Sequence, residues 1–195
     1  MTALTDRTRI ADILAASSWH MACLEALATL GLPDAWIGAG FVRGAVWDRL
    51  HGFDRPTPLP DLDVVYFDPA DPEGRGEPVI EARLEAMSPP APYDPPPVWS
   101  ARNQARMHVR NGDTPYQDTA EALTRWLETP TCVAARLGPG GVDVLAPLGT
   151  ADLFGLRVRP TPHALSRPDK LAQYRERLDA KRWDLSWPRL RLERE

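Results

Sequence analysis

The chain has 195 residues, enough for one domain with a substantial core. Its formal net charge of −4 excludes the general positive field that a protein coating nucleic acid requires. The charge is uneven, because residues 155–195 hold eleven basic and six acidic residues, a net charge of +5 that leaves −9 for the rest. We therefore expect a single domain, residues 1–195, with a basic C-terminal extension.

Cysteine, histidine and apolar patterns exclude further classes of protein. Cys23 and Cys132 lie far apart and are expected to be reduced thiols in the core of a cytoplasmic protein. No two histidines have the spacing of a zinc site. No apolar run approaches the length of a membrane span, and the N-terminus does not resemble a signal peptide. The sequence thus predicts neither a zinc site nor a membrane partner.

The N-terminal region, residues 1–33, is predicted to be helical. Apolar residues recur at helical spacing between residues 6 and 31, and Ser17 and Ser18 indicate a capped break between two helices. We expect these helices to cover a sheet formed by the residues that follow.

The first functional pattern lies in residues 36–68, which predict a strand, a glycine turn, a helix, a loop and a second strand. The turn is Gly38-Ala39-Gly40, and apolar residues recur at helical spacing over residues 41–50. A turn that opens a helix leaves backbone N–H groups free, and such groups bind phosphate oxygens.

Two acids, Asp61 and Asp63, begin the second strand of this pattern. Residues at i and i+2 of a strand point to the same face, with Cα atoms about 6.6 Å apart. Two such carboxylates repel each other, and a divalent cation with a preference for oxygen ligands removes the repulsion. A lone pair of acids or a lone glycine turn is weak evidence, but their combination predicts a site for a triphosphate and its metal ion.

Residues 79–97 connect this pattern to the next. Residues 79–87 predict a short helix, and residues 88–97 contain six prolines, typical of an irregular or polyproline-II surface segment. Such a segment serves either as a stiff connector, which we favour, or as a ligand for another domain.

The second functional pattern is the segment 99–111, WSARNQARMHVRN, which we interpret as a helix with a basic face. Its polar side chains are Arg102, Asn103, Gln104, Arg106, His108 and Arg110. Two interpretations stay open: a solvated face, or the wall of a cleft that contacts phosphate, base or acceptor.

Residues 118–145 predict a helix and then a β-hairpin. Asp118 and Glu121 have the spacing of a capping box at a helix start. Strands over 131–137 and 142–145 flank the glycine-rich turn 138–141.

Residues 36–68 resemble the signature of the DNA polymerase β-type nucleotidyltransferase superfamily, a glycine turn followed by D-x-D on the next strand. Residues 40–43 and 50–52 resemble the pattern of CCA-adding enzymes and poly(A) polymerases, although Ala39 stands at a usual glycine and Gly44 at a usual aspartate. A fuller resemblance is to a bacterial family of uncharacterised nucleotidyltransferase-like proteins. The segments that carry it are 38–43 (GAGFVR), 61–68 (DLDVVYFD), 103–108 (NQARMH), 146–149 (APLG) and the Trp187-Pro188 tail.

The resemblance implies an α/β (α+β) nucleotidyltransferase fold, a small mixed β-sheet flanked by helices. It implies Mg²⁺ or Mn²⁺ bound by the acids, including a third carboxylate from a later strand. Asp143, on the apolar return strand of the hairpin, is the expected third acid, although it is otherwise a typical exposed residue after a turn. The expected catalytic and metal-binding residues are Asp61, Asp63 and Asp143. The expected nucleotide-binding residues are Gly38, Ala39, Gly40, Arg43, Asn103, Arg106 and His108.

The expected activity is transfer of a nucleoside monophosphate from a nucleoside triphosphate, such as ATP, to an acceptor with release of pyrophosphate. The acceptor is open: a small molecule, a protein side chain or an RNA end. Two alternatives are a metal-dependent phosphohydrolase and a non-catalytic nucleotide-binding or interaction module that kept the fold. Retention of both Asp61 and Asp63 favours an enzyme.

Overall fold

A mixed sheet of five strands forms the centre of the molecule, in the spatial order β3-β2-β1-β4-β5. The computed structural model describes the backbone of residues 2–195 and the side chains of residues 5–195. Within this sheet the β2–β3 pair is parallel, and the β1–β2, β1–β4 and β4–β5 pairs are antiparallel. The strands are β1 Trp36–Gly38, β2 Asp61–Tyr66, β3 Val98–Asn103, β4 Ala134–Gly138 and β5 Gly141–Leu145.

Helices flank this sheet on both sides. In chain order they are α1 Thr2–Ala15, α2 Ser18–Thr29, α3 Gly40–His51, α4 Glu77–Ala86, α5 Gln104–Asn111, α6 Thr119–Leu123, α7 Ala151–Phe154, α8 Pro162–Ser166, α9 Pro168–Lys181 and α10 Trp183–Ser186. A 3-10 turn covers Thr129–Thr131, and two short strands, β6 Arg157–Val158 and β7 Arg191–Leu192, pair in parallel. No helix in the described part of the chain is long and apolar enough to cross a membrane.

The main core lies on one face of the sheet. Leu62 and Val64 of β2 and Ile37 of β1 pack there with residues of α1, α2 and α3, including the fully buried Trp47. Because side chains alternate along a strand, Asp61, Asp63 and Val65 point to the opposite face. The alternation of β2 therefore places the acids away from the main core.

The predicted fold class is confirmed, as are both N-terminal helices, the helix after the glycine turn and the hairpin at 138–141. The proline-rich segment 88–97 contains no helix or strand, as predicted. It is anchored to the body of the protein, because the rings of Tyr93 and Trp19 meet edge to face with centroids 5.2 Å apart.

The prediction of a helix over 99–111 is wrong in its first half. Residues up to Asn103 form β3, which pairs with β2 in register from Asp61↔Val98 to Tyr66↔Asn103. The helix begins only at Gln104, where the Asn103 side chain accepts a hydrogen bond from the backbone N–H of Ala105. Pairing with a distant strand overrides the local helical spacing.

The outer edge of β3 is closed by acids of α4. Oε1 of Glu81 accepts from the backbone N–H of Ala101 at 2.9 Å, and Oε1 of Glu77 accepts from the N–H of Asn103 at 2.8 Å. These two carboxylates occupy hydrogen-bond positions that a neighbouring strand would otherwise fill.

Candidate active site

Asp61 and Asp63 begin β2 on the face opposite the main core. Neither carboxylate makes a hydrogen bond or an ion pair within residues 5–195. Burial and the negative charge of Asp61 raise the pKa of Asp63 to about 6, an effect partly offset by Arg177, Arg43 and Lys181. The two acids are thus close enough to repel each other, and no basic side chain pairs with either.

The glycine turn lies directly beside these acids. The β1–β2 register pairs Ile37 with Val64, so Gly38 falls next to Asp63. Ala39 adopts φ 51° and ψ −119°, a conformation that favours glycine, and its carbonyl accepts the N–H of Arg43 as α3 begins. A Cβ on Gly40 would lie 2.7 Å from Cδ1 of Leu59. A side chain at Gly40 would therefore require the Leu59 side chain to shift.

Two cavities meet at this point. The turn cavity, of about 320 Å³, is bounded by the start of α3, residues 57–60, both aspartates and the side chains of Lys181 and Trp183. The sheet cavity, of about 480 Å³, lies over β2 and β3 and is bounded by α5, residues 125–131 and α9. Ala39, Asp63 and Arg177 line both cavities. Asp63 is therefore accessible from two directions.

Arg43 lies in the wall of the turn cavity. Its Nη1 donates to Oγ1 of Thr131 at 2.6 Å, and its guanidinium carbon lies 4.4 Å from the ring centroid of Trp183. Burial lowers the pKa of Arg43 to about 10, an effect partly offset by Glu128. Its Nε is buried and has no hydrogen-bond partner within residues 5–195. A cation with unused donors thus lies close to the glycine turn.

The structure does not bring Asn103, Arg106 and His108 to the aspartates, since none of them lines either cavity. The Asn103 amide donates to the carbonyls of Asp68 and Asp71, and its oxygen accepts from two backbone N–H groups. Arg106 forms a double hydrogen bond with Glu77. The His108 ring packs edge to face on Tyr116. The first two side chains thus hold the fold together, and the third packs away from the site.

Other residues of the same segment do reach the sheet cavity. Gln104, Met107, Arg110 and Asn111 lie on the face of α5 that lines it. The predicted residues Asn103, Arg106 and His108 thus belong to the same segment but do not lie on the face of α5 that lines the sheet cavity. Which face of a helix meets a cavity depends on packing and not on the identity of its polar residues.

Several lining residues were not predicted, namely Arg125, Glu128, Thr131, Gln173 and Arg177, and Lys170 was expected only as part of the basic C-terminal extension. One signal was available for α9. Lys170, Gln173, Arg177 and Lys181 recur at i, i+3, i+7 and i+11, which places four polar groups on one helical face.

Asp143 is not placed with the other two acids. It shares their face of the sheet, but β5 is three strands from β2, a lateral separation of about 14 Å. Its carboxylate lies 3.7 Å from Nε of Arg136, and it lines neither cavity. Within the part of the chain that the structure describes, no three His, Cys, Asp or Glu residues converge on a possible metal position. Asp143 therefore does not meet the expectation of a third carboxylate beside the pair.

Two other residues, Ser100 and Glu128, line the sheet cavity together with Asp63. On β3, the residue in register with Asp63 is Ser100, which lines the sheet cavity. Glu128, only 1% exposed, lines the same cavity, and its Oε1 lies 2.7 Å from Nε of Arg177. The other acidic residue that lines the sheet cavity is therefore paired with a base.

A mixed sheet with paired aspartates beside a glycine turn that opens a helix defines the nucleotidyltransferase class of fold. A family model described as "Nucleotidyltransferase" matches residues 25–192. The chain belongs to this family and is an enzyme of the nucleotidyltransferase type.

Solved structures agree with this assignment. An NMR structure described as revealing a CCA-adding enzyme head domain is 31% identical, with a TM-score of 0.79 and 95% of each chain covered. A tRNA-processing enzyme in an apo form is 18% identical with a TM-score of 0.50, over 88% of this chain and 45% of that one. A CCA-adding enzyme, also in an apo form, is 17% identical with a TM-score of 0.50, and the match covers 88% of this chain and 38% of that one. The last two show the fold alone. No match is found among curated protein sequences.

Proposed function

We propose that this nucleotidyltransferase moves a nucleoside monophosphate from a metal-bound nucleoside triphosphate to an acceptor and releases pyrophosphate. The observation that carries the proposal is that Asp61 and Asp63 have no partner within residues 5–195 and line the turn cavity, with Asp63 also lining the sheet cavity. A chain that only kept the fold would have no need of two repelling carboxylates beside a glycine turn.

The donor set fits a hard divalent cation, Mg²⁺ or Mn²⁺. Asp61 and Asp63 offer carboxylate oxygens without competing partners, and with only two acids in place the other ligands would be water and substrate phosphate oxygens. When bound, such an ion supplies positive charge that offsets the charge of the phosphates. The protein's own part is to hold the ion's ligands and the substrate in a fixed arrangement.

The turn cavity is suited to the triphosphate. The first N–H groups of α3 open into it from Gly40 onward, and Arg43, Arg177 and Lys181 supply three positive charges in its lining. We therefore assign the β- and γ-phosphates to the turn and the α-phosphate to the side of Asp63. The side chains bind and orient the triphosphate, so catalysis rests on positioning and charge compensation.

The test follows the fate of nucleotides labelled at the α-phosphate. ATP, GTP, CTP and UTP are incubated with the protein, Mg²⁺ and a desalted cell extract as a source of acceptors. The expected result is release of pyrophosphate together with a labelled acceptor. Asp61→Asn and Asp63→Asn are expected to reduce the rate by about 10²-fold or more, since each removes a charge on which metal binding depends.

Asp143→Asn is the matched control, because this acid lies about three strands away and makes an exposed ion pair. It is expected to keep the wild-type rate within about twofold. Labelled monophosphate without a labelled acceptor would instead show a phosphohydrolase. No metal-dependent nucleotide binding at all would show a non-catalytic module.

A further inference from the structure

We infer that the sheet cavity is the acceptor site and that the acceptor is a small molecule carrying a phosphomonoester group, which Lys170 binds. The inference rests on the proposed nucleotidyl transfer, because it places the acceptor relative to the nucleotide. In this reaction an acceptor hydroxyl oxygen forms a bond to the α-phosphorus, and the bond to the β-bridging oxygen breaks. Pyrophosphate leaves with the electron pair, and the hydroxyl proton passes to solvent.

The direction of attack assigns the cavity. In phosphoryl transfer the entering and leaving oxygens lie roughly in line on opposite sides of the phosphorus. If pyrophosphate occupies the turn cavity, the entering oxygen approaches Asp63 from the other side. The sheet cavity is the space on that side, and it shares Asp63 with the turn cavity.

The charge of the sheet cavity indicates an anion. Five basic side chains line it, against the two acids Asp63 and Glu128, so its formal side-chain charge is +3. Three of the five are already paired: Arg102 with Glu81 at 2.8 Å, Arg125 with Glu121 at 3.0 Å and Arg177 with Glu128 at 2.7 Å. The other two, Lys170 and Arg110, make no ion pair within residues 5–195.

Lys170 is the side chain that most requires a partner. It is only 8% exposed, and its ammonium group makes one long hydrogen bond, 3.5 Å to Oε1 of Gln173. Burying a positive charge without a counter-charge is costly, so such a group is normally paired. Nearby, Nε of Arg125 is also buried and has no hydrogen-bond partner within the described side chains. Together these donors fit a dianionic phosphate better than a single carboxylate.

The shape and the global charge favour a small molecule over a nucleic acid. A cavity of about 480 Å³ lies in the range typical of small-ligand sites. The whole chain carries a formal charge of −4, and Lys170 and Arg110 line a concavity. A polymer binds through many phosphate contacts along an extended surface, and a cavity of this size holds too few of them.

The test measures binding by isothermal titration calorimetry, with ribose 5-phosphate and ribose as paired probes. Mg²⁺ with α,β-methylene ATP reports separately on the nucleotide site. Ribose 5-phosphate is expected to bind the wild-type protein, and ribose at least about tenfold more weakly. Lys170→Gln should weaken the binding of ribose 5-phosphate by about tenfold or more and leave the affinity for the ATP analogue within about twofold of the wild-type value. Lys170→Arg should restore part of the binding.

Lys181→Gln is the matched control, because Lys181 is on the same helix but lines the turn cavity. It is expected to show the opposite pattern: weaker binding of the ATP analogue and unchanged binding of ribose 5-phosphate. Arg110→Gln changes an exposed, unpaired side chain, so it tests the same cavity without risk to the fold. It should weaken ribose 5-phosphate by a smaller factor than Lys170→Gln.

Three results would overturn the inference. Lys170→Gln could weaken the binding of the ATP analogue while ribose 5-phosphate does not bind the wild-type protein, which would assign the sheet cavity to the nucleotide. Ribose could bind as tightly as ribose 5-phosphate, which would exclude phosphate recognition. A single-stranded RNA oligonucleotide could bind more tightly than ribose 5-phosphate with a steep salt dependence, which would assign a polymer. Because sugar phosphate binding needs neither metal nor turnover, failure of nucleotidyl transfer would leave this measurement intact.

Discussion

Asp63 is the residue on which the electrostatics of the site depend. It borders both cavities, and its ionised form is disfavoured first by burial and then by Asp61. Arg177, Arg43 and Lys181 offset this only in part, because none of them forms an ion pair with it within residues 5–195. The metal-free protein therefore carries an unfavourable charge that a divalent cation would remove.

The raised pKa of Asp63 predicts an unusual pH dependence of stability in the metal-free protein. The folded pKa of about 6 lies above the unfolded value of 3.8, so between these values the folded state binds more protons. Asp63 therefore contributes at most about 3 kcal/mol to the free energy of unfolding. This contribution is fully present below about pH 4 and is lost as the pH rises through about 6. Urea unfolding in EDTA at about pH 4.5 and pH 7 should show Asp63→Asn more stabilising at the higher pH. An equal effect at both values would contradict the prediction.

At the scale of elements, the junction of β3 and α5 shows what the sequence can and cannot predict. The turn, α3 and β2 were predictable because glycine, helical spacing and alternation act locally. The parallel pairing of β3 with β2 was not, because it joins strands separated by more than thirty residues and depends on the whole sheet. The cavity-lining face of α5 was missed for the same reason, since packing decides which side of a helix faces the site. The polar face of α9 is visible in its residue spacing, but the cavity that it lines is not.

Asn103→Ala tests the role of this junction. The variant loses the cap of α5 and two bonds that the amide donates to the loop before α4, so we expect a destabilisation of about 2–4 kcal/mol. Affinity for the Mg²⁺ complex of α,β-methylene ATP should stay within about twofold. Urea unfolding and calorimetry measure the two effects.

Asn111→Ala is the control, because Asn111 lines the sheet cavity and its amide makes one side-chain bond, to the hydroxyl of Tyr116. It should destabilise less than Asn103→Ala. Lost nucleotide affinity in Asn103→Ala at unchanged stability would show instead that Asn103 contacts the nucleotide, as the family resemblance implied.

At the scale of the whole molecule, the C-terminal extension completes the site. α9 supplies Lys170 and Arg177, and α10 places the Trp183 ring against the guanidinium of Arg43. Nε1 of Trp187 donates to Oδ1 of Asp48 on α3 at 2.7 Å, which ties the tail to the helix after the glycine turn. The local excess of positive charge in the sequence thus becomes one wall of both cavities.

Glu128 is the residue through which this wall joins the sheet. It is buried, pairs with Arg177 and offsets the charge of Arg43, so Glu128→Gln is expected to destabilise the protein by about 3 kcal/mol. Adding Arg177→Gln should recover part of this loss. Chemical unfolding of both single variants and the double variant should give a coupling energy of at least about 1 kcal/mol.

The exposed pair Arg136–Asp143 provides the comparison, with both side chains at least 40% exposed. Its coupling energy should be below about 1 kcal/mol, since solvent screens such pairs. Equal coupling in the two pairs would mean that the Glu128 pair is no stronger than a surface contact.

The acids that close the outer edge of β3 also bear on how the protein behaves at high concentration. A bare strand edge is a template on which a second copy can add its own strand and begin a fibril. The carboxylates of Glu77 and Glu81 accept the backbone N–H groups that a second strand would use at this edge. The exposed Val98 lies at the start of the same strand. Colloidal stability at this edge therefore depends on two carboxylate side chains of the neighbouring helix.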